Sequence, residues 1–192
     1  MRAAVDEFRS AGYDATSMDR IAAAAGVSKR TVYNHFPSKD ELFSSMLEAL
    51  WERSEASTDA PYRPEASLES QLRQVLMKKL VLLSDPDFID LARVAMAEII
   101  RSPERAKAIV GRMQTRESGI TVWIRAAIAD GRLADVDAEL AAQQLLGLVK
   151  GFAFWPQVTF GQSPLPAIEQ AGVADSAVAM FLGHYAVVPV TD

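Results

Sequence analysis

The 192-residue chain contains no cysteine. That excludes disulfides and thiolate zinc sites and agrees with a reducing compartment. Histidine is nearly absent too: only His35 and His184 occur, and neither lies in an acid–histidine cluster with metal-ligand spacing. HExxH, GxSxG, P-loop and GxGxxG patterns are all missing, so no metal, cofactor or enzymatic activity is expected. Long hydrophobic runs are also missing. The longest charge-free stretch, Gly151 to Ile168, is interrupted by Pro156, Pro164 and Pro166, which makes a poor membrane span. The opening MRAAVDEF places Asp6 and Glu7 where a signal peptide would be apolar, so the expected location is cytoplasmic, with no membrane partner. No internal repeat and no sustained strand-like alternation is present.

What the chain has is apolar helix-formers: 49% of residues are hydrophobic, with Ala and Leu dominant, which points to an all-α fold. Positive charge is scarce, with a formal net charge of −5, but it is unevenly placed. Between Ala15 and Lys39 the basic residues Arg20, Lys29, Arg30 and Lys39 face a single acid, Asp19. Between Asp40 and Ala60 the balance reverses, with six acids against Arg53. A local basic segment on an acidic chain suits one-sided docking to a polyanion.

That basic segment has the pattern of two short helices joined by a turn. Ile21, Ala22 and Ala25 recur at helical spacing, Gly26 breaks the pattern, and Val27, Val32 and Phe36 resume it. A helix-turn-helix needs a small residue at the helix crossing and a glycine at the reversal, the roles of Ala22 and Gly26. Val32 fits the position that plugs the second helix onto the first. Thr16-Ser17-Met18-Asp19 is a capping-box pattern with Thr16 as N-cap. The helix N-terminus there would seat a DNA phosphate near Thr16 and Ser17, although both residues can equally serve as caps alone. In the second helix Ser28, Lys29, Arg30, Thr31 and Asn34 are the candidates for facing base edges, Arg or Lys binding guanine bidentately.

The stretch GYDATSMDRIAAAAGVSKRTVYNHFPSKDELF closely resembles the DNA-binding domain of the TetR family of bacterial transcriptional regulators. The resemblance rests on the glycine–small–Thr entry, the IA…AGVS turn, the Tyr33 and Phe36 pair, and the Lys-Asp-Glu-Leu continuation, about the first quarter of the chain. It implies that Tyr33, His35 and Lys39 contact phosphates, His35 being otherwise an ordinary surface histidine. It also implies a homodimer assembled through the last two helices and a body that encloses a small effector. In that family the first helix is usually longer and preceded by basic residues. Here it starts abruptly, so either the true start lies upstream or those phosphate contacts are missing.

Helices are expected over 2–11, stopped by Gly12, and from a second capping box, Ser38 and Glu41, to about Glu55. The segment ASTDAPYRP then marks a boundary between a three-helix helix-turn-helix domain, 1–55, and a helical effector-binding and dimerisation domain, 56–192. Within the second, helices are expected over 68–84, from Asp85-Pro86 to about Arg101, over 103–130 with breaks at Gly111 and Gly119, over 137–155, and over 176–185. The stretch 160–173 reads as loop. LAAQQLLGLVKGFAFW and SAVAMFLGHYA carry apolar residues on more than one face, as interior or subunit-sharing helices do.

Met77, Met96, Met113, Trp123, Phe152 and Trp155 are candidate liners of an effector pocket, against the alternative that they are packed core. Arg93, Glu98, Gln143, Gln144 and His184 are polar residues on or beside apolar faces. The expected function is a homodimeric, sequence-specific transcriptional regulator, a ligand-responsive repressor, binding a double-stranded operator. The alternatives are a helical ligand-binding or protein-interaction dimer whose DNA head no longer functions and, further off, a small helical enzyme.

Overall fold

The computed structural model describes residues 1–104, 107 and 118–187. Among these the chain is all-α, its only β pairing being an isolated bridge between Leu133 and Ala186. The helices are α1 (Arg2–Ala15), α2 (Met18–Ala24), α3 (Lys29–His35), α4 (Lys39–Ala56), α5 (Leu68–Leu83), α6 (Pro86–Arg101), α7 (Gly119–Ala129), α8 (Ala138–Ala153), α9 (Trp155–Phe160) and α10 (Ala167–Tyr185). None is long and apolar enough to cross a membrane.

The caps explain most of the boundaries. Ser28 and Ser67 accept backbone N–H groups of Thr31 and Ser70 at 3.1 Å, Ser118 accepts that of Thr121 at 3.3 Å, and Asp137 accepts those of Glu139 and Leu140. Ser38 likewise accepts from Glu41 at 3.1 Å and starts α4. One cap is displaced by a residue from its expected position. Ser17, not Thr16, caps α2, accepting from Arg20 N–H at 3.3 Å. Thr16 is 2% exposed and donates its hydroxyl to the carbonyls of Gly12 at 2.8 Å and Glu7 at 3.1 Å. It ties down the kinked end of α1, where Gly12 has φ 79.

Two expectations from composition fail. Residues 160–173 are not one loop: the short helix α9, with Pro156 in its first turn, is ended by Gly161 (φ 65), and α10 begins at Ala167 directly after Pro166. A proline cannot donate a backbone N–H, yet ahead of a helix none is needed, so Pro166 starts α10 well before Ser176. Val27 does not resume the buried pattern either; it is 43% exposed.

Contacts divide the chain into two compact units. The first comprises Met1–Glu52 and α6, so its membership does not follow the linear boundary at 55/56. Its core gathers Val5, Phe8, Ile21, Ala22, Val32, Phe43 and Met46 with Leu91, Val94 and Ala95 of α6. Phe8, Tyr13 and Phe43 form an aromatic triad with centroids 5.1–5.8 Å apart. Ion pairs Arg9–Asp90 (2.5 Å), Arg2–Asp87 and Arg101–Asp14 rim the packing of α1 on α6.

The second unit comprises 53–85 and the chain from Arg116 onward. Here α5 packs on α8 and α10, and α7 packs on α8. Gly119 opens α7 where a Cβ would stand 2.8 Å from the Asp59 Cα, too close for any side chain. Buried Gln71 holds the 57–66 loop to the helices: it accepts from Arg63 N–H at 2.8 Å and from the Trp123 indole at 3.3 Å, and donates to Arg63 C=O at 2.9 Å.

Candidate nucleic-acid interface

Helix α3 lies on the first unit with only Val32 buried, at 7% exposure. Ser28, Lys29, Arg30, Thr31, Tyr33, Asn34 and His35 are all exposed. The α2–α3 turn explains this presentation. Gly26 adopts φ 68, a conformation L side chains rarely tolerate, and buried Ala22 lets the two helices approach. Nothing lies within 4 Å of a Cβ built on Gly26, so the backbone angle, not space, requires glycine.

The four cations of this segment are not equivalent. Arg20 pairs with Glu7 at 2.9 Å, and Lys29 pairs with Asp19 at 2.5 Å. Lys39, expected at a phosphate, donates to the carbonyls of Tyr13 (2.7 Å), Thr16 (2.9 Å) and Asp14 (3.3 Å). Its ammonium also stands 4.4 Å from the centroid of the Tyr13 ring. It thereby captures carbonyls left open where α1 ends. Arg30 alone of the four makes no hydrogen bond or ion pair among the described residues. Ser28 and Thr31 share a 2.8 Å hydroxyl contact that belongs to the α3 cap, leaving Asn34 beside Arg30 with an uncommitted polar end.

The candidate pocket liners fall in both units and differ in burial. Trp123 is 1% exposed, packed edge-on against Tyr62 with ring centroids 5.4 Å apart. Met77 is half-buried on α5, Met96 is half-buried on α6 in the other unit, and Phe152 and Trp155 are 62% and 46% exposed. Met113 lies outside the described residues. Of the polar candidates, Glu98 is buried and pairs with Arg101 at 3.7 Å, Arg93 is half-buried on α6 beside Asp90 at 3.5 Å, and Gln143 donates to Glu139 at 3.3 Å. Gln144 accepts from the Tyr185 hydroxyl, and the exposed His184 stacks edge-on against the same ring at 4.5 Å. A groove of about 490 Å³ runs between α8 and α10, lined by Gln144, Leu145, Leu148, Phe152, Met180 and His184 among others.

Sequence reasoning missed a polar group inside the second unit. Lys79 is 2% exposed, and its Nζ donates to the Ser54 hydroxyl at 2.6 Å and carbonyl at 3.1 Å. Burial, reinforced by the charge of Lys150 and opposed by Glu55, pushes its pKa down to about 8. Burial also lowers Lys150 and raises Glu55, which accepts a hydrogen bond from the Gly119 N–H. The signal was present: Lys79 falls on the same stripe of α5 as Leu72, Val75, Leu76 and Leu83, where a solvated lysine does not belong.

Comparison with known proteins places this architecture. Residues 1–46 match the family described as bacterial regulatory proteins, tetR family, and residues 70–187 match the C-terminal domain of AefR-like transcriptional repressors. A TetR family regulator from Pseudomonas syringae pv. tomato superposes with a TM-score of 0.89 at 50% identity, covering 97% of this chain and 94% of that one. The flavonoid-responsive regulator FrrA superposes at 0.71 with 30% identity, over 99% and 95% of the two chains. The uncharacterized HTH-type transcriptional regulator YhgD of Bacillus subtilis is 25% identical over 162 residues, 80% of each chain. With a helix-turn-helix head matched at one end and a repressor body matched over more than half its length, the chain belongs to the TetR family of DNA-binding transcriptional regulators.

Proposed function

We propose that the protein is a cytoplasmic, homodimeric, ligand-responsive repressor that reads its operator with Arg30 and Asn34 of α3. The observation that carries this reading is the contrast among its cations: Arg20, Lys29 and Lys39 are held by protein groups, and Arg30 is not. Thr31 and the exposed ring of Tyr33 flank Arg30 on the same surface, with His35 at its far end. Ser17, exposed at the start of α2, would take a phosphate, and buried Thr16 would not.

The dimer reading is supported by the second unit. Leu140 and Phe152 of α8 and Met180 of α10 are 51%, 62% and 59% exposed, and the α8–α10 groove leaves an apolar face that a second copy would cover. One α3 helix spans too few base pairs for useful discrimination. Two on a two-fold axis read half-sites about 34 Å, or a multiple of it, apart. A ligand bound in the body would act by favouring one of two states with different head spacing.

Footprinting on the DNA flanking its own gene tests this. Two protected patches about one or two helical turns apart are expected. A single patch, or none at concentrations that protect non-specific DNA, overturns the homodimeric operator reading.

A further inference from the structure

We propose that Asp19 is a determinant of sequence selectivity. By holding Lys29 it withholds one of the two cations at the start of α3 from DNA phosphate, and so weakens binding to non-operator DNA more than binding to operator. This rests on the reading of α3 as the helix that meets the bases, and it adds an acidic residue that acts against the wrong DNA.

Asp19 is the one acid between Ala15 and Lys39. It lies in the first turn of α2, and Lys29 lies in the first turn of α3. The turn at Gly26 folds the two helices together, and the carboxylate stands 2.5 Å from the ammonium. Arg20 follows Asp19 in the chain, but its guanidinium is taken by Glu7 of α1 at 2.9 Å. Among the described residues Lys29 is therefore the cation that Asp19 holds. The two pairs differ in setting. The Glu7 side chain is 20% exposed and ties α2 to α1, whereas Asp19 and Lys29 are 50% and 67% exposed. Lys29 and Arg30 are thus neighbours in opposite states, one neutralised and one unengaged.

An exposed pair of this kind contributes little to folding. Toward DNA it matters more, because a duplex that meets this face must draw Lys29 off Asp19 or accept a carboxylate beside its own phosphates. The handicap is unequal on the two kinds of DNA. On a non-operator duplex phosphate contacts supply essentially all the affinity, and no base contact fixes the register. A released lysine there can shift until it meets a phosphate and counts in full. On operator, bonds to base edges fix where α3 sits, so a released lysine adds only what that one position allows. Specificity is a difference of two affinities, and a charge set against the wrong partner raises it.

The test is fluorescence anisotropy of the full chain, Asp19→Asn and the double variant Asp19→Asn/Lys29→Gln. Each is titrated on a scrambled duplex and on the duplex footprinted beside its gene, between about 50 and 200 mM salt. Asp19→Asn should bind the scrambled duplex more tightly than the parent does. Its affinity there should fall about threefold further across that range, the mark of one more neutralised phosphate at about −0.9 in log–log slope. The gain on the footprinted duplex should be smaller, so the ratio of the two affinities drops. The double variant should return to the parent's slope. Circular dichroism should match the parent, and Asp19→Ser should behave as Asp19→Asn does. No gain on the scrambled duplex, an equal gain on both duplexes, or a steep slope kept by the double variant each overturns the proposal. A parent preference that Arg30→Ala abolishes, with Asp19→Asn indistinguishable from the parent, keeps the reading of α3 and removes this proposal alone. A parent with no preference for the footprinted duplex removes both.

Discussion

The two units differ in where they keep their polar side chains. In the first, most charged side chains lie at the surface in ion pairs, among them Arg2 with Asp87, Arg9 with Asp90, Arg20 with Glu7, Lys29 with Asp19 and Arg101 with Asp14. In the second, polar groups go inside, and Lys79, Gln71, Gln157 and Thr121 are each 3% exposed or less. Exposed pairs contribute little to stability, about 0.2–1 kcal/mol each, so their value lies in how they shape the field. With Arg20 and Lys29 ion-paired and Lys39 tied to backbone carbonyls, Arg30 is the cation of this segment left unengaged. Buried polar groups are expensive, so their retention points to specificity of fold or of ligand.

The largest effect that would sharpen this contrast is a pH dependence in the body. Lys79 has a folded pKa of about 8 against an ordinary 10.5. Between those values the unfolded chain holds a proton the folded chain has released, so stability rises with pH across that window. Below about pH 8 the desolvation cost is fully present, on the order of 3 kcal/mol. Lys79→Met should flatten the rise between pH 8 and 10.5 in urea unfolding; a variant as pH-dependent as the parent would show that Lys79 is not desolvated.

Next comes the head. Gly26→Val should cost about 1–3 kcal/mol through backbone strain at a left-handed position. Operator binding should fall with it, because the angle of α3 depends on that turn. An unchanged melting temperature and operator affinity would refute the turn's role.

Lys39→Ala should cost about 1 kcal/mol by opening the Tyr13, Asp14 and Thr16 carbonyls. Its mark should be a lower melting temperature with the ratio of operator to scrambled-duplex affinity preserved. A normal melting temperature with a shallower salt dependence would return Lys39 to a phosphate. Smallest is Lys29→Ala, which breaks an exposed pair and should change stability by less than about 1 kcal/mol.

The same contrast explains what could be read from the sequence. Helix existence, the Ala22–Gly26–Val32 turn and the Ser38 cap depend on neighbours in the chain, so a local pattern exposes them. Thr16 and Ser17 are adjacent capping residues, and only the buried hydroxyl of Thr16 decides between them. Lys39 looks like a surface lysine until the end of α1, more than twenty residues earlier, brings its carbonyls close. In the body the deciding contacts span greater distances: Ser54 with Lys79, Gln71 with Trp123, Leu83 with Gln157. Spacing showed Trp123 as apolar but not whether it faced a ligand or Tyr62. The start of α10 was hidden because Gly, Pro and Gln near 160–173 resemble a loop, although only 161–166 is one.

Arg30 is the cation of this segment left for the bases. Fluorescence anisotropy of the parent chain and of Arg30→Ala on operator and scrambled duplexes, each across a salt series, measures that most directly. The parent should prefer operator and show a steep fall in affinity with salt, about −0.9 in log–log slope for each phosphate neutralised. Arg30→Ala should lose about 1–3 kcal/mol on the operator and much less on the scrambled duplex. Equal losses on both, or none on either, would contradict the assignment of α3 as the reading helix.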